Sequence, residues 1–226
     1  MIDKLYESVE KRGNVCVGLD TDLSYIPEKF LNKFVSYEDA LFNFNKKIID
    51  ATCSDAACYK VQIAYYEALG IEGLQAYKKT LKYLKSINCI SIADVKRGDI
   101  TKTAEMYAKA HFEGDFESDF ITLTPYMGTD SMGPYLKYVE EKGKGIFILI
   151  KTSNEGAKDL QYLTLKNGEK VYEVVGEKFN AISEEYMGKH GYGSIGGVIG
   201  CTHKEDGINI RRNLNNMFFL IPGYGA

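Results

Sequence analysis

The chain has 226 residues, of which 45% are hydrophobic and 26% charged, a composition typical of a globular protein that can bury a sizeable core. Its net charge of −3 and lack of a long basic run argue against a nucleic-acid-binding protein. Residues 1–12 lack the apolar stretch of a secretory signal, and no window is apolar enough to span a membrane, so we expect a cytoplasmic protein without membrane contact.

Short apolar runs alternate with longer segments along the whole chain. The runs are almost continuously apolar, which is typical of parallel strands that are covered on both faces. They comprise residues 14–19, 55–61, 89–93, 119–123, 145–150, 195–199 and 217–221.

The segments between the runs carry helix signals. Ser36 followed by Asp39 resembles a capping box at a helix start. Further on, apolar residues recur at helical spacing, while neighbouring lysines fall mostly off that stripe, as on a solvated face. The stripe consists of Leu74, Tyr77, Leu81 and Leu84.

This alternation predicts one parallel α/β domain over residues 1–226, since no linker, repeat or low-complexity segment interrupts it. Seven runs fit a (β/α)₈ barrel of the TIM type whose eighth strand and C-terminal tail are absent from the sequence. A doubly wound sheet is the alternative, but no G-x-G-x-x-G follows the first run.

Charged residues gather where the first three runs end. Asp20 ends the first run, Lys60 lies near the end of the second, and Asp94, Lys96 and Asp99 follow the third. In a barrel, catalytic residues lie at the carboxyl ends of strands. Alternation along a strand would place Asp94 and Lys96 on one face. Taken alone, the pattern fits either an active site or a structural salt-bridge network.

Six segments match, in order, the motifs of one family. They are VGLDTD (17–22), YKVQIAYYEALG (59–70), ADVKRGDITKT (93–103), TLTPYMGTDS (122–131), LIKTSNEGAKDLQ (149–161) and FLIPGYGA (219–226). With them the chain resembles the orotidine 5'-phosphate decarboxylases, in particular the longer-chain bacterial subgroup. The resemblance implies a homodimeric barrel that converts orotidine 5'-monophosphate (OMP) to UMP and CO₂ without a cofactor, the last step of UMP biosynthesis.

The resemblance also implies roles for individual residues. The catalytic array would be Lys60, Asp94 and Lys96, completed by Asp99 from the partner subunit, with Lys96 protonating C6 of the pyrimidine. The remaining substrate-binding residues would be Asp20 at the ribose, Thr103 from the partner subunit, and Thr152 or Ser153 at the pyrimidine. Pro222 and Gly223 would bind the substrate on the phosphate side, and Tyr224 would cover the phosphate or the ribose.

The C-terminal part departs from the family pattern. The family's phosphate-binding glutamine follows P-G-Y-G-A and its arginine ends strand eight, whereas this sequence ends at Ala226. Arg211 and Arg212 precede the seventh run and do not replace that arginine; we expect them to be surface or helix-end charges. We expect a longer protein with a phosphate-binding loop and tail, and a true truncation is the alternative.

Two other functions are considered. A Mg²⁺-dependent sugar-phosphate decarboxylase or aldolase of the same barrel superfamily would need a further acidic ligand, which the segment DVKRGD does not supply. A non-catalytic nucleotide-binding barrel is also possible on the same fold, although Lys60, Asp94, Lys96 and Asp99 are all present.

No pattern indicates a metal or disulfide centre. The five cysteines include no C-x-x-C pair, so we interpret them as reduced thiols, mostly in apolar runs. His111, His190 and His203 are scattered without metal-ligand spacing, and we expect surface or helix positions for them.

Overall fold

The computed structural model describes residues 1–200 and 204–223. The strands are β1 (Cys16–Gly18), β2 (Cys58–Gln62), β3 (Ser91–Arg97), β4 (Phe120–Leu123), β5 (Gly145–Lys151), β6 (Ile195–Ile199) and β7 (Phe219–Leu220). The helices are α1 (Ile2–Arg12), α2 (Glu28–Leu31), α3 (Tyr37–Thr52), α4 (Ile63–Glu67), α5 (Gly70–Ser86), α6 (Thr101–Phe112), α7 (Gly133–Lys142), α8 (Ala157–Leu160), α9 (Val171–Ser183) and α10 (Lys204–Asn213). Within these described ranges, no helix is both long and apolar enough to cross a membrane.

The strands lie in the sheet in chain order, from β1 to β7. β1, β2 and β3 pair in parallel, as do β5, β6 and β7. Every residue of β4 and β6 is buried, which explains why their sequences are continuously apolar. All seven predicted strands are confirmed. β3 extends to Arg97, so Asp94 and Lys96 lie within the strand and Asp99 lies beyond it, as predicted.

Contacts divide the chain into two compact units. One comprises Lys4–Val95 and Met106–Ile121, and the other comprises Met1–Asp3, Lys96–Glu105 and Thr122–Ala226. The single domain over residues 1–226 stays a prediction.

In the first unit, α3 and α5 pack against each other. The predicted stripe of α5 is confirmed, since Tyr77, Leu81 and Leu84 are buried. The lysines off this stripe form surface ion pairs, such as Lys82 with Asp115 at 2.9 Å. Pairs of this kind stabilise a fold by only about 0–1 kcal/mol, so this charged face is a solvated surface, as predicted.

In the second unit, α9 packs against β5 and β6. Its Phe179 is buried, as are Phe147 of β5 and Ile195 of β6. Gly176 of α9 also approaches Leu214, just after α10, so closely that a Cβ atom on it would lie 2.8 Å from a methyl carbon of Leu214. The core of this unit thus lies between the helix and the two strands.

A capping serine, the cysteines and one histidine test smaller predictions from the sequence. Ser36 caps α3, because its Oγ accepts a hydrogen bond from the Asp39 amide at 3.2 Å. The described cysteines, namely Cys16, Cys53, Cys58 and Cys89, are free thiols, while Cys201 and His203 lie outside the described residues. His111 is in a helix, α6, but it is buried and not on the surface.

Candidate active site

Three of the predicted site residues meet in the first unit. The Nζ atom of Lys60 lies 2.6 Å from Oδ1 of Asp20 and 3.6 Å from Oδ2 of Asp94. Nε2 of Gln62 donates a hydrogen bond to Oδ2 of Asp94 at 2.8 Å. The parallel register explains the arrangement, since it sets Gly18 opposite Lys60 and Gln62 opposite Asp94. Ion pairs and this hydrogen bond therefore join four residues on or directly after β1, β2 and β3, which we call the Lys60 cluster: Asp20, Lys60, Gln62 and Asp94.

The backbone on both sides of Asp20 is held by a buried hydrogen-bond network. Thr21 Oγ1 donates to Asn45 Oδ1 at 2.7 Å, and Asn45 Nδ2 donates to the Tyr66 hydroxyl at 2.9 Å. The same hydroxyl donates to the carbonyl oxygen of Leu19 at 3.3 Å. Burial raises the pKa of Tyr66, so the hydroxyl keeps its proton as a donor. Sequence reasoning missed Asn45 and Tyr66, because each lies on a helix far along the chain from Asp20.

Two cysteines lie next to the Lys60 cluster. Cys16 of β1 and Cys58 of β2 are opposite each other in the sheet. The pKa of the Cys16 thiol lies below its ordinary value because of a hydrogen bond with Cys58 and the charge of Lys60, in spite of burial. The pKa of Cys58 is raised, first by that same hydrogen bond and then by burial. Both are free thiols, as the sequence predicts.

Lys96 lies in β3 with an unusual backbone conformation. Its φ is +45°, in the left-handed region that side chains other than glycine seldom adopt. Its amide donates a hydrogen bond to Oγ1 of the buried Thr122 at 2.9 Å, and its side chain is exposed. The predicted common face for Asp94 and Lys96 assumed a regular extended strand, which the backbone leaves at Lys96.

Asp99 and Thr103 follow β3. Asp99 is half-buried, and its Oδ1 accepts a hydrogen bond from the Ile100 amide at 2.8 Å. Thr103 is exposed in the first turn of α6. Gly98 is required between the strand and these residues, because a Cβ atom there would lie 2.0 Å from Cγ2 of Thr124. The participation of Asp99 and Thr103 in a partner's site stays a prediction.

The two candidates for pyrimidine binding differ in their surroundings. Thr152 is half-buried and Ser153 is exposed directly after β5. The Thr152 hydroxyl donates to Oδ1 of Asn154 and accepts from Nε2 of Gln161, each at 2.7 Å. Gln161 was not recognised as part of the site, since only its position as the last residue of the family segment LIKTSNEGAKDLQ (149–161) signals it.

A buried lysine, also unrecognised in the sequence, precedes Thr152. Lys151 is 1% exposed; its Nζ donates to the carbonyl oxygen of Gly200 at 3.0 Å and lies 3.4 Å from Oδ2 of Asp206. The Tyr162 hydroxyl donates to the same carboxylate oxygen at 2.6 Å. Burial alone would raise the pKa of Asp206, but the hydrogen bond from Tyr162 and the charge of Lys151 together hold it below its ordinary value.

The predicted phosphate-side residues follow β7. Pro222 and Gly223 are exposed, and Gly223 has a φ of +99°, a value that glycine adopts without strain. Tyr224 lies outside the described residues. Arg211 is a helix-end charge, as predicted: near the end of α10 its guanidinium donates to the carbonyl oxygens of Leu214 and Met217 at 3.0 and 2.8 Å.

The fold and the charged residues define the class of protein. Parallel strands in chain order, joined by helices, with ion-paired lysine and aspartate near the strand ends, are typical of α/β barrel enzymes. The model of the orotidine 5'-phosphate decarboxylase / HUMPS family matches residues 13–226, and the chain belongs to this family.

Curated relatives and solved structures agree with this assignment. The orotidine 5'-phosphate decarboxylase of Clostridium kluyveri is 65% identical over 226 residues, covering 100% of this chain and 78% of that protein. The corresponding protein of Clostridium novyi is 63% identical, covering 100% of this chain and 79% of that protein.

Among solved structures, Leishmania donovani OMP decarboxylase has a TM-score of 0.80 at 32% identity, over 98% of this chain and 79% of that one. Plasmodium berghei orotidine 5'-monophosphate decarboxylase has a TM-score of 0.83 at 25% identity, over 98% of this chain and 83% of that one. The predicted α/β barrel class is thereby confirmed.

Proposed function

We infer that this protein is an orotidine 5'-phosphate decarboxylase, a carbon–carbon lyase that converts OMP to UMP and CO₂ in pyrimidine biosynthesis. The observation that carries this conclusion is the 65% identity over all 226 residues with a curated decarboxylase. The family model alone does not decide the activity, because its description also includes HUMPS proteins.

The reaction requires stabilisation of a poorly delocalised carbanion. When the bond between C6 and the carboxylate breaks, CO₂ leaves and the electron pair stays on C6, where no ring carbonyl can accept it well. Fixed charges are the means by which a protein without an electron-sink cofactor stabilises such a state. We propose that the ammonium group of Lys96 does so and then transfers its proton to C6.

The Lys60 cluster supplies the remaining charges in this proposal. Asp94 faces the substrate carboxylate, and their repulsion is relieved as CO₂ leaves, although stabilisation of the transition state is the larger contribution. The observed contacts of Lys60 with Asp20 and Asp94 support its role in holding both carboxylates. Asp20, which is more exposed than Asp94, contacts the ribose.

Binding of the phosphate is assigned to the segment after β7. Pro222, Gly223 and Tyr224 belong to it, and the exposure of Pro222 and Gly223 supports access for a ligand. Because the phosphate is remote from the reacting bond, its binding energy can drive closure of the segment over the nucleotide.

We propose a homodimer in which Asp99 and Thr103 reach the partner's site. Thr103 is exposed, and the apolar Met106, three positions after it on α6, is 58% exposed. Residues at this spacing share a helix face. Ile100, just before the helix, is 52% exposed, and exposed apolar side chains of this kind favour a protein interface. We also propose a cytoplasmic location, which the free thiols among the described residues support.

The decisive experiment measures CO₂ release from OMP with and without exhaustive chelation. Turnover that is unchanged by chelation is expected, because the proposed chemistry uses only protein charges. Loss of turnover that Mg²⁺ restores would contradict the metal-free chemistry proposed, and absence of CO₂ release from OMP with Mg²⁺ present, together with turnover of a sugar phosphate, would indicate the sugar-phosphate enzyme. A folded protein that binds UMP but releases no CO₂ from OMP would be a non-catalytic nucleotide-binding protein.

A further inference from the structure

Ser153 presents the available hydroxyl of the segment that follows β5. The single hydroxyl proton of Thr152 is already donated to Asn154 at 2.7 Å, so Thr152 has no donor left for a substrate carbonyl. Ser153 is exposed, and within residues 1–200 and 204–223 its side chain has no hydrogen-bond partner. Of the two candidates, Ser153 is therefore the one that can both donate to and accept from a pyrimidine.

Gln161 makes two hydrogen bonds with Thr152, the residue before Ser153. Its Oε1 accepts from the Thr152 amide at 2.8 Å, and its Nε2 donates to the Thr152 hydroxyl at 2.7 Å. The backbone of Gln161 is itself fixed, since its amide donates to the Ala157 carbonyl at 2.8 Å and its carbonyl accepts from the Tyr172 amide at 3.0 Å. The side-chain amide is thus anchored to α8 and to the start of α9.

The segment is also fixed by β6. The Gly200 amide donates to the Lys151 carbonyl at 2.7 Å, and the Lys151 ammonium donates back to the Gly200 carbonyl at 3.0 Å. A Cβ atom on Gly200 would lie 2.7 Å from the Ser153 nitrogen and 2.8 Å from the Thr152 carbonyl carbon. The peptide group between Thr152 and Ser153 therefore packs directly against Gly200. Gln161 fixes the same segment through its hydrogen bonds with the amide and the hydroxyl of Thr152.

We propose that Gln161 is a positioning residue for pyrimidine recognition. It fixes Thr152 so that the next residue, Ser153, presents its hydroxyl to the ring of the bound nucleotide. This inference rests on the proposed function, in which the segment contacts the pyrimidine. Gln161 acts through Thr152 and does not touch the ligand, so its contribution depends on the presence of the Ser153 hydroxyl.

A double-mutant cycle on UMP binding tests the proposal. Gln161→Leu preserves the approximate side-chain size and removes both hydrogen bonds. We expect it to weaken UMP binding about tenfold, within the range for loss of one good hydrogen bond. In a Ser153→Ala background the same substitution should weaken binding less than about twofold, because two residues that act as a unit are not additive. Isothermal titration calorimetry gives the four dissociation constants.

Control variants separate positioning from a general loss of structure. Gln75→Leu makes the same chemical change at an exposed position of α5 and should leave UMP binding unchanged. Gln161→Glu keeps an acceptor for the Thr152 amide and should retain part of the affinity. If Gln161→Leu does not fold, the same cycle is measured with Gln161→Glu.

Two results would overturn the proposal. One is equal weakening by the Gln161 substitution in both backgrounds, and the other is wild-type UMP affinity in a folded Gln161→Leu protein. Neither readout requires turnover, so a protein that binds UMP but fails to decarboxylate OMP counts against the proposed function alone. Absence of UMP binding by the wild-type protein would contradict both.

Discussion

At the scale of single residues, ion pairing allows the strands to hold charged side chains that are largely buried. The side chains of Lys60 and Asp94 are 15% and 9% exposed, and removing one member of a buried ion pair typically costs about 3–5 kcal/mol. Lys60 contacts two carboxylates, and Asp94 contacts both Lys60 and Gln62. The strands therefore tolerate these charges because each of them is compensated.

Lys96 is a second residue whose local structure suggests a function. A left-handed backbone at a residue with a side chain costs on the order of 1–3 kcal/mol and persists where the surrounding structure enforces it. Here the hydrogen bond from the Lys96 amide to Thr122 is one such constraint. Since strain of this kind clusters at functional sites, it supports the role proposed for Lys96.

Replacement of this lysine should abolish most of the activity. We expect Lys96→Ala to lower kcat for OMP by about 10³-fold or more, because both the proton donor and the stabilising charge are lost. Steady-state assays measure the rate, and size-exclusion chromatography should show an unchanged dimer. Lys109→Ala, at an exposed position of α6, is the matched control. Near-normal turnover by Lys96→Ala would refute its assignment.

At the scale of secondary-structure elements, Asp206 connects α10 to β5. Its carboxylate lies 3.4 Å from the ammonium of Lys151 and accepts a hydrogen bond from Tyr162. Because these partners hold the pKa of Asp206 below its ordinary value, the ionised form is favoured in the folded protein. The stabilisation that results is present above the unfolded pKa, about 3.9, and is lost as the pH falls through the folded pKa.

This linkage predicts a pH-dependent difference between the wild-type protein and Asp206→Asn. At neutral pH we expect the variant to have a lower free energy of unfolding by about 1.5–3 kcal/mol, the range for hydrogen bonds to charged groups. The difference should shrink as the pH is lowered below about 4. Urea unfolding at a series of pH values measures it, with Asp159→Asn at an exposed position as the control. A difference that does not vary with pH would contradict the role of the charge.

At the scale of the whole molecule, the proposed dimer makes each site depend on two subunits. Asp99 is half-buried within its own subunit, whereas Thr103 and its apolar neighbours Ile100 and Met106 are exposed. In a twofold dimer each subunit would place its Asp99 and Thr103 in the partner's active site, and its own site would contain the same two residues from the partner. An inactive subunit can then still complete its partner's site.

Complementation between inactive variants tests this arrangement. Lys96→Ala and Asp99→Ala are each expected to be inactive alone. After complete exchange of equal amounts, about a quarter of the wild-type activity should return, since half of the dimers are mixed and each of these regains one complete site. The OMP assay measures the recovery, and native mass spectrometry verifies the mixing. If verified mixed dimers stay inactive, Asp99 acts within its own subunit.

Much of the fold is encoded in local patterns of the sequence. Continuous apolar runs identify all seven strands, and the stripe through Tyr77, Leu81 and Leu84 identifies the buried face of α5. These elements can be recognised from the sequence alone, because the strand and helix periods depend only on residues that are close together in the chain. The family motifs likewise identify Lys60 and Asp94 as a charged pair without any knowledge of their distance.

Contacts between residues distant in the chain were decided only by the tertiary structure. Three such contacts have no local periodic signal: the hydrogen bonds between Gln161 and Thr152, the ion pair of Lys151 with Asp206, and the hydrogen bond from the Lys96 amide to Thr122. Each depends on which atoms meet after the chain has folded, and on the cost of leaving a buried polar group without a partner. The sequence by itself thus determined which segments form strands, the family and the charged motif. Only the packing of the folded chain decided which hydrogen bonds and ion pairs fix the residues around that motif.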